Sequence, residues 1–270
     1  MWDAATGNVV GRWADHDGVI MALAFRPDGR GLATGGLDGV VKLRELPSGK
    51  VVATWKQPAR VMSLAFDARG DRLAVGLEDD RLALWGVKAG RLERTIRLPA
   101  KLIRSVAFRR GDGLLEGCSV NGVLQAWRPA TGEPVFTLNS FRDYTHRSGF
   151  LGDGRVLMTA GDEVSGKKSN GVVRLWDPGN AKERAVLHGP TVDDAGAVSC
   201  LAATEDGSVV AAGSMDGHVY FWSPETQRGL ARLEAHKGGV RAVAFSPDGT
   251  RLATAGKDGV VKLWRVARER

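Results

Sequence analysis

A chain of 270 residues, 43% apolar and 26% charged, holds enough hydrophobic material for one large core, and no run in it reaches the ~18 uninterrupted apolar residues of a membrane-crossing helix. The net charge is +7 and the pI near 9.7, yet the basic residues are scattered over turns and strand ends, with no basic run longer than pairs such as Arg109-Arg110 and Lys167-Lys168 and no aromatics interleaved with them for base stacking. The opening MWDAATGNVV has neither a basic leader nor an apolar signal core, and Cys118 and Cys200 lie in apolar strand-like runs without a CxxC or His partner, which fits small core residues in a reducing, cytoplasmic setting.

In chain order, MWD reads as the end of one strand and NVVGRWA, residues 8–14, as the strand after it. At 16–44 stands HDGVIMALAFRPDGRGLATGGLDGVVKLR, and the same 29-residue pattern returns at an offset of 220 as HKGGVRAVAFSPDGTRLATAGKDGVVKLW, residues 236–264. Within the later copy VRAVAF is an apolar strand, SPDGT a turn in which Pro presets φ and Gly supplies φ > 0, and RLATAG a second strand. KDG suits a tight hairpin connection and VVKLW is a third strand. Stretches such as PSGKVVATW and ATGEPVFTL supply a weaker fourth strand.

Between the two copies the spacing persists. Trp2, Arg44, Trp85, Trp127, Trp176, Trp222 and Trp264 follow one another at intervals of 42, 41, 42, 49, 46 and 42, and Asp38, Asp79, Asn121, Asn170, Asp216 or Asp258 stands six residues before each of the last six. Four short antiparallel strands in about 42 residues form one small sheet, which must stack on copies of itself around an axis to bury both faces. The interval of 49 comes from seven extra residues in GDEVSGKKSNG, 161–171, and that of 46 from LHGPTVDDAGAV, 187–198; both insertions are expected on one rim.

The spacing, the pairs Trp2-Asp3 and Trp176-Asp177, the DGVVKLW-type turns and the histidines heading the best units resemble the WD-repeat (WD40) β-propeller family over essentially all 270 residues. The dipeptide is incomplete at Arg44-Glu45, Trp85-Gly86, Trp127-Arg128, Trp222-Ser223 and Trp264-Arg265. The resemblance implies an all-β fold, a β-propeller of six four-stranded antiparallel blades in a single domain, 1–270, with the ring closed by residues 8–13 pairing with residues 260–265. Trp2 duplicates the place of Trp264, as it would in a piece of a longer array.

By the same resemblance His236, Thr254, Asp258 and Trp264, and likewise His16, Thr34 and Asp38, form a buried structural hydrogen-bond network rather than a catalytic set. Arg44 takes the place of the indole and either donates to Asp38 or points outward. HExxH, GxSxG, a Walker loop and a Cys/His quartet are all missing from the sequence, so no catalytic residue, metal or cofactor is expected. The family's partner face, built from the loops between strands 4 and 1 and between strands 2 and 3, carries over by spacing to Met21, Leu37, Arg60, Met62, Leu102, Arg104, Tyr144, His146, Met215, Arg241 and Lys257. Met, Arg and aromatic residues in that mixture suit a protein or peptide partner. The expectation is a cytoplasmic, non-catalytic scaffold without membrane association, monomeric or a module of a larger chain. A basic nucleic-acid-binding propeller is the alternative, and a propeller enzyme the third reading.

Overall fold

The structure is a computed structural model that describes residues 1–270 apart from 15, 101, 142–143, 153, 166–167, 189–197 and 267–270, and the side chains of the described residues apart from those at 144, 164–165 and 168–170. Its strands fall into six antiparallel sheets taken in sequence. Sheet 1 comprises β1 (Ile20–Phe25), β2 (Gly31–Gly36), β3 (Val40–Glu45) and β4 (Val51–Lys56); sheet 2 comprises β5 (Val61–Phe66), β6 (Arg72–Leu77), β7 (Arg81–Gly86) and β8 (Arg91–Arg97). Sheet 3 contains β9 (Ile103–Phe108), β10 (Leu115–Ser119), β11 (Val123–Trp127) and β12 (Pro134–Asn139); sheet 4 contains β13 (Tyr144–Leu151), β14 (Val156–Ser165), β15 (Lys168–Asp177) and β16 (Lys182–His188). Sheet 5 holds β17 (Val198–Ala203), β18 (Val210–Ser214), β19 (His218–Trp222) and β20 (Gly229–Glu234), and sheet 6 holds β21 (Val240–Phe245), β22 (Arg251–Gly256) and β23 (Val261–Arg265). Strands adjacent in sequence are adjacent in every sheet, the blade pattern of an all-β, six-bladed β-propeller.

Local chemistry sets the turns. In the two PDG turns Gly29 and Gly249 take φ of +70° and +66°, while Asp28 and Asp248 accept from the backbone N–H of Arg30 and Thr250 at 2.9 and 3.0 Å. First strands begin with a one-residue bulge: the register slips between Ile20 and Ala22, Val61 and Ser63, Thr145 and Arg147, Val198 and Cys200, and Val240 and Ala242. Met21, Met62, His146, Ser199 and Arg241 are thereby left out of the ladder and re-aimed.

The chain divides into two compact units, Met1–Phe108 and Arg109–Arg270. In the first, Ala33, Val41, Leu43 and Trp55 of sheet 1 pack with Val61, Leu73 and Val75 of sheet 2, and Trp55 stacks on Trp85 at 4.7 Å. In the second, Met158, Val173 and Leu175 of sheet 4 meet Val198, Val210 and Tyr220 of sheet 5, while Cys200 and Val219 meet Val240 and Leu252 of sheet 6. Both cysteines are free and buried. Three first strands seat their head residue at a glycine of the preceding sheet, Val61 at Gly35, Ile103 at Gly76 and Val240 at Gly213: a Cβ added at Gly35 would lie 2.5 Å from Val61 Cγ1, and one at Gly213 would lie 2.7 Å from Val240 Cγ1.

The N-terminal segment has a local pairing of its own. Val9 bridges to Trp2, Asp3 N donates to the Asn8 carbonyl at 2.9 Å, and the Met1 amino group donates to the Gly11 carbonyl at 2.7 Å. Trp2 opposite Val9 repeats the register of Arg44 opposite Val51 in sheet 1. Among the described residues three strands, β21, β22 and β23, are assigned to sheet 6.

Candidate partner-binding site

The strand 2–3 turn and the loop into strand 1 are tied together by a recurring backbone hydrogen bond. The residue before the turn aspartate donates its N–H two residues upstream of the bulge: Leu37 to Val19 O at 3.0 Å, Glu78 to Arg60 O at 2.9 Å and Lys257 to Gly239 O at 2.9 Å. In sheets 1, 2 and 6 the strand 2–3 turn and the start of the first strand therefore lie at one end of the sheet. In the first unit Leu102 N also reaches Glu78 O at 2.9 Å, joining the turn of sheet 2 to the start of sheet 3's first strand.

Within the first unit Met21, Leu37, Leu102 and Arg104 are half-buried, and Arg60 is exposed, its guanidinium 3.2 Å from Glu78. Met62 departs from the expectation: it is 8% exposed, because β5 lies between β1 and β9 and its thioether is withdrawn from water into the packing between them. Its side chain belongs to the core. In the second unit His146 and Met215 are half-buried and Arg241 and Lys257 are exposed; the side chain of Tyr144 lies outside the described residues. His146 Nε2 sits 3.0 Å from Asp162 Oδ2. The seven extra residues around 161–171 prolong a hairpin rather than form an open loop, with β14 and β15 pairing out to Ser165 opposite Lys168. Of the other insertion, residues 189–197 lie outside the described residues.

Behind this face run the polar chains inside the sheets. In sheet 6 Trp264 Nε1 donates to Thr254 Oγ1 at 3.0 Å, Thr254 Oγ1 lies 2.7 Å from His236 Nε2, and His236 Nδ1 lies 3.0 Å from Asp258 Oδ1. The indole can only donate, so the hydroxyl is free to donate to Nε2, and the neutral Nδ1–H tautomer completes the chain to the carboxylate. Desolvation works against the charged Asp258, but the Val260 N–H, His236 and the Lys237 N–H outweigh it and hold its pKa below the ordinary 3.8. Sheet 1 repeats His16 to Thr34 at 2.8 Å and His16 to Asp38 at 2.9 Å. Arg44, however, neither donates to Asp38 nor points into solvent: it is buried, donates Nη1 to the Gly49 carbonyl at 2.6 Å and lies 5.1 Å over the Trp13 ring. Sheet 2 has Val75 in place of the threonine, and Trp85 Nε1 is buried there without a hydrogen-bond partner.

Sequence reasoning missed Glu116. It is fully buried on β10 where other sheets carry Ala33, Ala74, Ala211 and Ala253, and Ser148 Oγ lies 2.9 and 3.0 Å from its two carboxyl oxygens. Burial pushes its pKa from 4.5 up to about 8, with the Ser148 hydrogen bond opposing. Among the described residues no group of three or more His, Cys, Asp or Glu side chains could hold a metal ion, and no helix is long and apolar enough to cross a membrane.

Sheet 6 carries the complete His–Thr–Asp–Trp chain and sheet 1 its His–Thr–Asp part, the pattern of WD repeats. The family model "WD domain, G-beta repeat" matches residues 7–44, 182–223 and 228–265, and the chain carries WD repeats. Telomerase protein component 1 of Rattus norvegicus is 31% identical over 156 residues, 56% of this chain and 5% of that protein. Small ribosomal subunit protein RACK1y of Oryza sativa subsp. japonica is 38% identical over 79 residues, 28% of this chain and 24% of that protein. The chain thus spans a minor part of either relative. The structure of U3-55K superposes with a TM-score of 0.81 over 93% of this chain and 79% of that one at 21% identity, a likeness of fold.

Proposed function

We propose that the chain is a non-catalytic scaffold domain, residues 1–270, that holds a protein or peptide partner on the face made by the strand 4–1 and strand 2–3 loops. The observation that carries this reading is the recurring bulge, which releases the same first-strand position in sheet after sheet and sets it beside the strand 2–3 turn. At those places Met21, Arg60, Arg104, Met215, Arg241 and Lys257 offer adaptable thioethers and guanidinium forks, the side chains favoured at protein contacts. The relatives whose names make them a telomerase component and a small-ribosomal-subunit protein support a role inside a larger assembly. The two free, buried cysteines suit a reducing compartment, and the cytoplasm is the proposed location.

Capture from source lysate tests the reading. Arg60→Glu and Arg241→Glu each lower capture at least tenfold while thermal stability stays within ~0.5 kcal/mol of the parent, because both side chains are exposed. Unchanged capture by both variants excludes this face. The net charge of +7 supports nucleic-acid binding as the second reading, which requires random duplex DNA to compete with the captured partner and affinity for it to fall steeply with salt.

A further inference from the structure

Where the strand 1–2 turns of sheets 3 and 4 meet, a cavity of about 440 Å³ is walled by Arg109, Arg110, Arg155 and Arg184 against two carboxylates, Asp112 and Asp177, among the described residues. Arg109 lies across Gly154 of the neighbouring turn, where a Cβ would come 2.5 Å from its Cγ, and its Nε donates to Asp112 Oδ1 at 2.8 Å. Arg184 donates Nη2 to Asp177 Oδ2 at 2.9 Å, and Arg110 donates Nη1 to Glu205 Oε1 at 2.5 Å. These pairs are partly open to solvent, so an arginine loses little when it exchanges its carboxylate for another anion. The fold does not demand this charge. Between sheets 1 and 2, Arg26 lies across Gly70 in the same way, a Cβ there falling 2.7 Å from its Cγ, but Pro27, Asp71 and Glu93 occupy the places of Arg110, Arg155 and Arg184. Between sheets 4 and 5 the four places hold Leu151, Gly152, Ser208 and Leu230. Packing thus accounts for Arg109, which has a counterpart, and leaves the other three arginines without a structural reason.

We propose that this cavity binds a phosphate monoester dianion carried on a peptide segment. A guanidinium presents a planar fork that matches two phosphate oxygens, and several of them around one cavity suit a group with nearly two negative charges at neutral pH. The peptide is argued from a second cavity of about 500 Å³, which shares Arg184 and runs on between sheets 4 and 5. Its walls include Leu151, Val156, Leu175 and Pro224, which receive an apolar side chain beside the phosphorylated residue. Both cavities lie at the strand 1–2 end of the sheets, and nothing in them depends on the proposed partner face at the strand 2–3 end.

Isothermal titration calorimetry of the full chain reads this out with three probes: a peptide whose central phosphoserine is flanked on both sides by leucine, its unphosphorylated twin, and inorganic phosphate. The phosphopeptide is expected to bind about tenfold or more tighter than either of the others, and to weaken as salt is raised. Arg155→Glu and Arg184→Glu each lower its affinity by about tenfold or more with the melting temperature unchanged, since both side chains reach solvent. Lys56→Glu, the same change of charge at an exposed place on β4, leaves the affinity as it was. Should Arg184→Glu disturb the fold, the exposed Arg110→Glu takes its place. Equal binding of the phosphorylated and unphosphorylated peptides overturns the proposal, and so does phosphopeptide binding indifferent to the arginine substitutions. Inorganic phosphate bound as tightly as the phosphopeptide overturns the assignment to a peptide.

Discussion

Trp264, Thr254, His236 and Asp258 are joined in one direction of donation, so removing the middle member strands its neighbours. His236→Ala leaves a buried threonine hydroxyl and a turn carboxylate without the ring between them, and unfolding by urea is expected to show a loss of ~1–3 kcal/mol. Glu116 adds a pH dependence opposite in sign to that of the aspartates whose pKa is lowered, such as Asp38 and Asp258. Below 4.5 its carboxyl is neutral in both folded and unfolded chains; between 4.5 and about 8 the unfolded chain ionises while the buried group keeps its proton. The stability it permits is therefore fully present at low pH, falls as pH rises through that window and levels off above it, by a few kcal/mol at ~1.4 per pH unit. Glu116→Gln mimics the protonated acid and flattens the profile of urea midpoint against pH; a slope unchanged by the substitution contradicts the assignment. Neither residue was equally legible in sequence. His236 stood out by its place in the repeat, whereas Glu116 was hidden inside the apolar run LLEGCSV and needed comparison with the alanines at the same place in other units.

At the scale of single elements, spacing located the strands and turns because PDG and DG turns force positive φ at fixed offsets from the apolar runs. It did not give burial, which depends on what lies on either side of a strand: Met21 and Met62 occupy the same repeat position, yet only the strand bearing Met62 lies between β1 and β9. Nor did it give the local bridge between Trp2 and Val9. The seat between sheets is testable directly. Gly35→Ala puts a methyl 2.5 Å from Val61 Cγ1, and calorimetry is expected to show a loss of ~1–3 kcal/mol, partly recovered by Val61→Ala.

For the molecule as a whole, the repeat spacing reveals six successive sheets, and the match of three regions to WD repeats agrees with it. The proposed partner face is argued from residue types and from the bulges beside the strand 2–3 turns. Hydrogen exchange of the chain, free and bound to the partner it captures, measures the central claim. The account predicts new protection at the loops around residues 19–21, 37–38, 60, 102–104 and 239–241, with the opposite turns at 28–30 and 248–250 unchanged. Protection confined to those opposite turns, with the bulged positions exchanging as in the free chain, would contradict it.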